Sequence, residues 1–295
     1  MTERIDAPVT AELEAAAEKA ESRRGLFLAL PSYVYLIFLF VVPLLIIGVY
    51  SFASRSRTGR PKLEAWNLDS ITKIFTDDLI RSIFGRSVVV ALITTALCLL
   101  IGYPFAYYIA TRRERVRNLL LLFVMIPFWT NFLVRTYAWR VLLGEDGPVT
   151  ELGRLLGLWD SMLFTLPAVY LGLIYGFLPF MVLPLYAAIE RLDWSLVEAA
   201  RDLYASGWGA FRKVTLPLTR SGIIAGSILV FIPSLGAYVT PDILGGAKTT
   251  LIGNYIVNQF LTARNWPLGS AVSMAIMVVM LLATVWYFRS GARTL

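Results

Sequence analysis

Histidine is missing from the 295-residue chain, and cysteine occurs once, at Cys98. Without imidazole there is no Ser-His-Asp or Cys-His catalytic arrangement, no histidine-ligated metal and no imidazole proton relay. One thiol inside an apolar run makes neither a disulfide nor a thiolate metal centre within one chain. Charge is scarce too: Asp, Glu, Lys and Arg are 16% of the residues, against 57% hydrophobic. With a mean hydropathy of +0.67 the composition excludes an ordinary soluble domain and specifies an integral membrane protein. The net charge is +7, from Lys+Arg 27 and Asp+Glu 20. In a membrane chain such an excess sets orientation and meets lipid head groups, so no nucleic-acid partner is expected.

Uncharged intervals long enough to cross about 30 Å of hydrocarbon are 25–54, 87–111, 118–134, 161–189, 221–241 and 265–288. They predict an all-α integral membrane protein with six transmembrane helices. The third interval is short, so its helix is expected to run past Arg135 towards Arg140. The stretch 249–263 is uncharged but holds Asn254, Asn258 and Gln259, which suits an interfacial or pore-flanking helix. Six spans put both termini on one side. The clusters Arg23–Arg24, Arg112 to Arg117, Arg212 to Arg220, and Arg289 make that side cytoplasmic. That topology places 15 Lys and Arg inside and 11 outside with Arg135 set aside. Seven of the outside group fall between Arg55 and Arg86, among Glu64, Asp69, Asp77 and Asp78, as in a small folded extracytoplasmic element.

Three regions follow. Residues 1–24 form a cytoplasmic lead-in, helical over 10–24; Glu12, Glu14, Glu18 and Glu21 ahead of the apolar stretch argue against a signal peptide. Residues 25–288 form the transmembrane domain, and 289–295 a cytoplasmic tail. Prolines 43, 104, 127, 167, 179, 184, 233 and 241 lie in or at the ends of spans, where each removes a backbone hydrogen bond, as in helices that line cavities. Gly172 with Gly176, and Gly222 with Gly226, carry the spacing that lets helices approach closely.

Residues 190–220 interrupt the spans with polar sequence. Leu192, Leu196, Ala199, Ala200 and Leu203 recur at three- and four-residue steps, predicting a short amphipathic helix over 193–203. Gly207 and Gly209 offer a sharp turn, and Trp208, Phe211 and Val214 a second apolar stripe leading into Leu216-Pro217. Two angled helices displaying Glu198, Arg201 and Asp202 form a knob suited to another protein's groove.

Glu198-Ala199-Ala200, followed at fixed spacing by Val214, Leu216 and Pro217, resembles the EAA loop of ABC importer permeases. The family's glycine position falls on Tyr204, with Gly207 the nearest glycine. Either the turn shifts towards Gly207 or Tyr204 packs where glycine allows close contact. The stretches Ile126 to Trp139 and Gly236 to Gly246 extend the resemblance to spermidine/putrescine permeases of the PotB type. It implies a type I ABC importer permease fold in a bacterial inner membrane, with 190–220 as a cytoplasmic coupling loop. It also implies a second homologous permease, two cytoplasmic ATPase subunits that bind ATP and Mg, a solute-binding protein and a polyamine substrate. On that basis Glu198, Ala199, Ala200, Arg201, Asp202, Tyr204, Gly207, Leu216 and Pro217 are expected to couple to the ATPases.

Gly245-Gly246-Ala247-Lys248-Thr249 only mimics the end of a phosphate-binding loop, so this chain is expected to bind no cofactor and to be no enzyme itself. No Glu lies inside a span, as proton- or sodium-coupled carriers commonly require. Polyamine ammonium groups favour carboxylates and aromatic faces. Asp242 and Tyr238, with Trp129, Asn131, Tyr137 and Trp139, are the candidate substrate path. Aromatic belts explain single Trp and Tyr residues equally well. Alternative cargoes are an opine, thiamine or ferric ion; a stand-alone carrier or a membrane-embedded enzyme fits less well.

Overall fold

The computed structural model describes the backbone of residues 7–56, 61–63 and 66–291, and the side chains of 29–56, 61–63, 66–285 and 289. The acidic side chains expected along 10–24, Glu64, and the last four residues of the tail lie outside the described residues.

Helix α1 (Ala7–Ser51) runs without a break through the expected boundary at residue 24. A bridge pairs β1 (Ser54–Arg55) antiparallel with β2 (Pro61–Lys62). Then follow α2 (Asp69–Thr76), α3 (Asp78–Ala110), α4 (Glu114–Trp129), α5 (Phe132–Leu142), α6 (Pro148–Leu155) and α7 (Leu166–Glu190). Next come α8 (Trp194–Asp202), α9 (Gly207–Ala210), α10 (Leu216–Leu218), α11 (Arg220–Leu235), α12 (Ile252–Leu261) and α13 (Trp266–Gly291). Phe211–Thr215 and Pro241–Gly245 are π turns, and Gly246–Thr249 is a 3-10 turn.

Among the described residues, four helices are long and apolar enough to cross a membrane, and counting each bent pair as one span gives up to six: α4 with α5, bent by 92°, and Gly207–Leu218 with α11, bent by 65°. Three expectations change. The third span does not continue straight past Arg135; it breaks at Thr130 and Asn131. The second starts at Asp78, nine residues early, because Asp77 caps it by accepting the Leu79 N–H at 2.9 Å. The fifth ends at Leu235 with Gly236 as its C-cap, so Tyr238 stands outside α11.

Helices α3, α7 and α11 pack as the centre, burying Cys98, Ala106, Ile109, Met181, Leu185, Ile189 and Val230. Between helices in lipid, attraction comes from close packing, not from removing apolar surface from water. Gly222 and Gly226 make that approach possible. A Cβ on Gly222 would lie 2.8 Å from Pro184 O, and one on Gly226 3.1 Å from Met181 O. The other pair divides: Gly172 accommodates Leu244 and Thr240, while Gly176 faces Arg135. By contrast, 31–46 of α1 is exposed throughout, and this helix packs along α13.

Candidate functional site

The segment between α7 and α11 folds as a knob whose two short helices are each capped by their own sequence. Asp193 Oδ1 accepts the Ser195 N–H at 3.0 Å, starting α8. Hydrogen bonds from the Ser195 side chain and backbone hold that carboxyl below the usual carboxylate range. Ser206 Oγ accepts the Gly209 N–H at 3.1 Å, starting α9. Between them, the Tyr204 N–H bonds Arg201 O at 2.9 Å and the Ala205 N–H bonds Ala200 O at 3.1 Å. Tyr204 has φ +62°. This helix stop is the one in which glycine is favoured at the left-handed residue. A tyrosine there costs roughly 1–2 kcal/mol relative to glycine.

The glycine-rich turn expected at Gly207 and Gly209 is therefore corrected: both glycines are helical, and the chain reverses at Tyr204. Nor does Tyr204 pack closely, since it is 99% exposed. The buried face of α8 also differs from the predicted stripe. Leu192 and Val197 are buried with Ala210, and Trp194, Ala200, Ala205 and Val214 pack against them. Leu196, Ala199 and Leu203 lie on the exposed side. Trp208 is exposed and stacks on Phe211 at 5.2 Å. Glu198, Arg201 and Asp202 are exposed and take part in no ion pair among the described residues.

The base of the knob is tied to three helices. Tyr103 of α3 shares a 2.8 Å hydrogen bond with Thr219 and meets the Phe211 ring edge-on at 5.5 Å. Tyr107 meets Trp194 at 5.8 Å. Arg117, at the start of α4, pairs with Glu190, at the end of α7, at 3.0 Å. Leu216 packs into the central core and Pro217 is exposed. Pro217 has no N–H to donate; ahead of it the Leu216 N–H reaches back five residues to Phe211 O, the bonding of a π turn.

The candidate path residues gather at the opposite end. Ser87 near the start of α3 accepts the Ile252 N–H; it lies 16 residues from Tyr103, about 24 Å along the helix. Helix α12 fills the segment expected there. Asn254 Nδ2 donates to Tyr238 O at 2.8 Å and to Asp242 Oδ1 at 3.4 Å. Asn254 Oδ1 is buried with no hydrogen-bond partner among the described residues. Asp242 and the Tyr238 ring are exposed. The exposed Asp242 carboxylate and the Tyr238 ring make this corner an acceptor-rich surface, with Asn254 Oδ1 sealed beneath it. Asn254 was visible in sequence only as a polar interruption; its partners lie 12 and 16 residues away.

The elbow of α4 and α5 flanks this corner, because α5 packs on the Pro241–Gly245 turn. Asn131 caps α5, accepting the Leu133 N–H at 2.8 Å. Trp139 packs against the buried cluster of Leu143, Ala168, Ile243 and Leu244 and meets Tyr175 at 5.5 Å. Trp129 and Tyr137 are exposed on either side of the bend. Arg135 donates to Pro127 O at 2.6 Å and lies 5.6 Å from the Phe132 ring centre and 5.5 Å from that of Tyr175. It clamps the elbow and pairs with no acid among the described residues.

Comparison with known proteins places this architecture. A family model described as binding-protein-dependent transport system inner membrane component matches residues 99–294. The chain is 43% identical over 258 residues to the spermidine/putrescine transport system permease protein PotB of Escherichia coli, covering 86% of this chain and 93% of that one. It is 42% identical over 262 residues to PotB of Haemophilus influenzae, covering 88% and 91%. A solved bacterial ABC transporter involved in import of the acidic polysaccharide alginate superposes with a TM-score of 0.71 at 18% identity, covering 95% of this chain and 99% of the other. That likeness shows the fold, the one expected of type I ABC importer permeases.

Proposed function

Because the chain belongs to the binding-protein-dependent transport system inner membrane component family, it is the permease subunit of an ABC importer, and we propose that it carries polyamines of the spermidine/putrescine class. PotB proteins at 42–43% identity carry that cargo in their names. The exposed corner of Asp242 and the Tyr238 ring has the chemistry for an ammonium group.

The drive comes from outside the chain, through the knob at 190–220. The observation that carries this reading is the bracing of that knob to α3, α4 and α7, with an apex whose Glu198, Arg201 and Asp202 make no ion pair among the described residues. A push on the apex reaches the core as a rigid displacement, since Tyr103–Thr219 and Arg117–Glu190 join elements more than 70 residues apart. Two ATPase subunits holding ATP and Mg supply the push. A second permease completes the pore, for which the exposed α1 offers an apolar surface. A solute-binding protein delivers cargo to the Asp242 end; the alginate transporter has been solved with its periplasmic protein. Both termini then face the cytoplasm. In support, the Arg117–Glu190 pair puts the basic loop 112–117 and the knob on one face, where positive charge belongs.

The test is ATP-driven uptake of labelled spermidine by vesicles holding the whole complex. Glu198→Lys is expected to abolish uptake while the chain still inserts. Asp242→Asn is expected to weaken uptake about tenfold with the ATPase still attached. Normal uptake by the first variant removes the knob from the drive; normal uptake by the second removes Asp242 from the path.

A further inference from the structure

Tyr204 combines two features that need one explanation. Its backbone has φ +62°, where glycine is at ease and other residues are strained, and its side chain is 99% exposed. The side chain serves nothing in the fold: the turn that ends α8 closes through backbone bonds to Arg201 and Ala200 and needs only a left-handed backbone, which glycine supplies without strain. Strain kept at an exposed position points to function. Its neighbours extend the pattern, with Leu203 81% and Trp208 70% exposed. Exposed Glu198, Arg201 and Asp202 share the knob with them. An apolar centre beside charged side chains is the composition of a protein contact surface, and tyrosine and tryptophan are the side chains that most often carry its affinity.

We propose that Tyr204, flanked by Leu203 and Trp208, is the anchor that inserts its ring into an apolar cleft of the ATPase subunit and selects which ATPase this permease accepts. The inference rests on the coupling role proposed above for 190–220 and adds to it a specificity-determining residue. The partner is the ATPase and not lipid because the strained turn holds the tyrosine at one fixed place on a knob capped by Asp193 and Ser206. Fixed placement lowers the cost of ordering on binding, whereas fluid lipid places no demand on position.

The experiment compares the intact complex carrying wild-type chain, Y204F, Y204G or Y204N, reading ATPase affinity by dissociation from tagged permease. A photoreactive phenylalanine analogue at 204 identifies what the side chain touches. Y204F is expected to hold the ATPase within about twofold of wild type, and Y204G and Y204N to weaken it at least about tenfold with no loss of permease heat stability. The photoreactive side chain is expected to label the ATPase. Wild-type affinity in Y204G and Y204N, a Y204F as weak as Y204G, or labelling confined to lipid or the second permease each overturns the anchor. A wild-type chain that retains no ATPase overturns the coupling reading itself, so the two failures are told apart.

Discussion

Single side chains at the two ends of the molecule do work that their neighbours in sequence do not announce. At Tyr204 the backbone and the side chain pull in opposite directions. Y204G is expected to steady the turn by about 1 kcal/mol, measured as slower amide exchange at 203–206; faster exchange contradicts the assigned strain. Arg135 is the reverse case, a cation whose value lies in the carbonyl it holds. Arg135→Ala leaves Pro127 O with the Thr130 hydroxyl at 2.9 Å and is expected to cost about 2 kcal/mol, read by heat-scanning fluorescence of the solubilised complex. An unshifted transition shows that the elbow stands without its clamp. The glycine pattern marked position 204 as special, but only backbone geometry told why.

At the scale of elements, caps and close approaches decide where helices begin and how near they lie. The Asp193 carboxyl titrates below its unfolded value. Its support for α8 is therefore complete above the ordinary carboxylate pKa of about 4 and is lost as pH falls through the lower folded value. Amide protection in the first turn of α8, exchange measured relative to the intrinsic rate at each pH, is expected to fall on acidification through that range and, in Asp193→Ala, to be low at neutral pH as well. Gly222 is a contact point between α11 and α7, where an added methyl meets Ala188 Cβ at 2.6 Å as well as backbone. Gly222→Ala is expected to destabilise by about 1–3 kcal/mol, seen as a lower melting temperature. Gly207→Ala, with nothing within 4 Å, is expected to be neutral or stabilising by about 0.5–1 kcal/mol; equal loss in both refutes the packing account. Sequence periodicity found α8 and part of its face: Leu192 and Ala200 pack inward as expected, but Val197 is buried while Leu196, Ala199 and Leu203 are exposed.

For the whole molecule, the proposed function requires the knob and the Asp242 corner to move as parts of one body. Tyr103→Phe removes the hydrogen bond from α3 to Thr219, worth about 1 kcal/mol, without touching the apex. It is expected to leave ATPase binding intact and to raise the ATP hydrolysed per spermidine imported; an unchanged ratio shows that this brace transmits nothing. Membrane class, position of the knob and family were all legible in sequence, because hydropathy and motif spacing are read along the chain. Tertiary structure alone decided that Tyr204 turns left-handed, that the third span breaks by 92°, that Arg135 reaches Pro127, and that Asn254 lies beside Asp242. Each of these is settled by atoms brought together across turns and between helices, and such meetings leave no periodic trace in the order of residues.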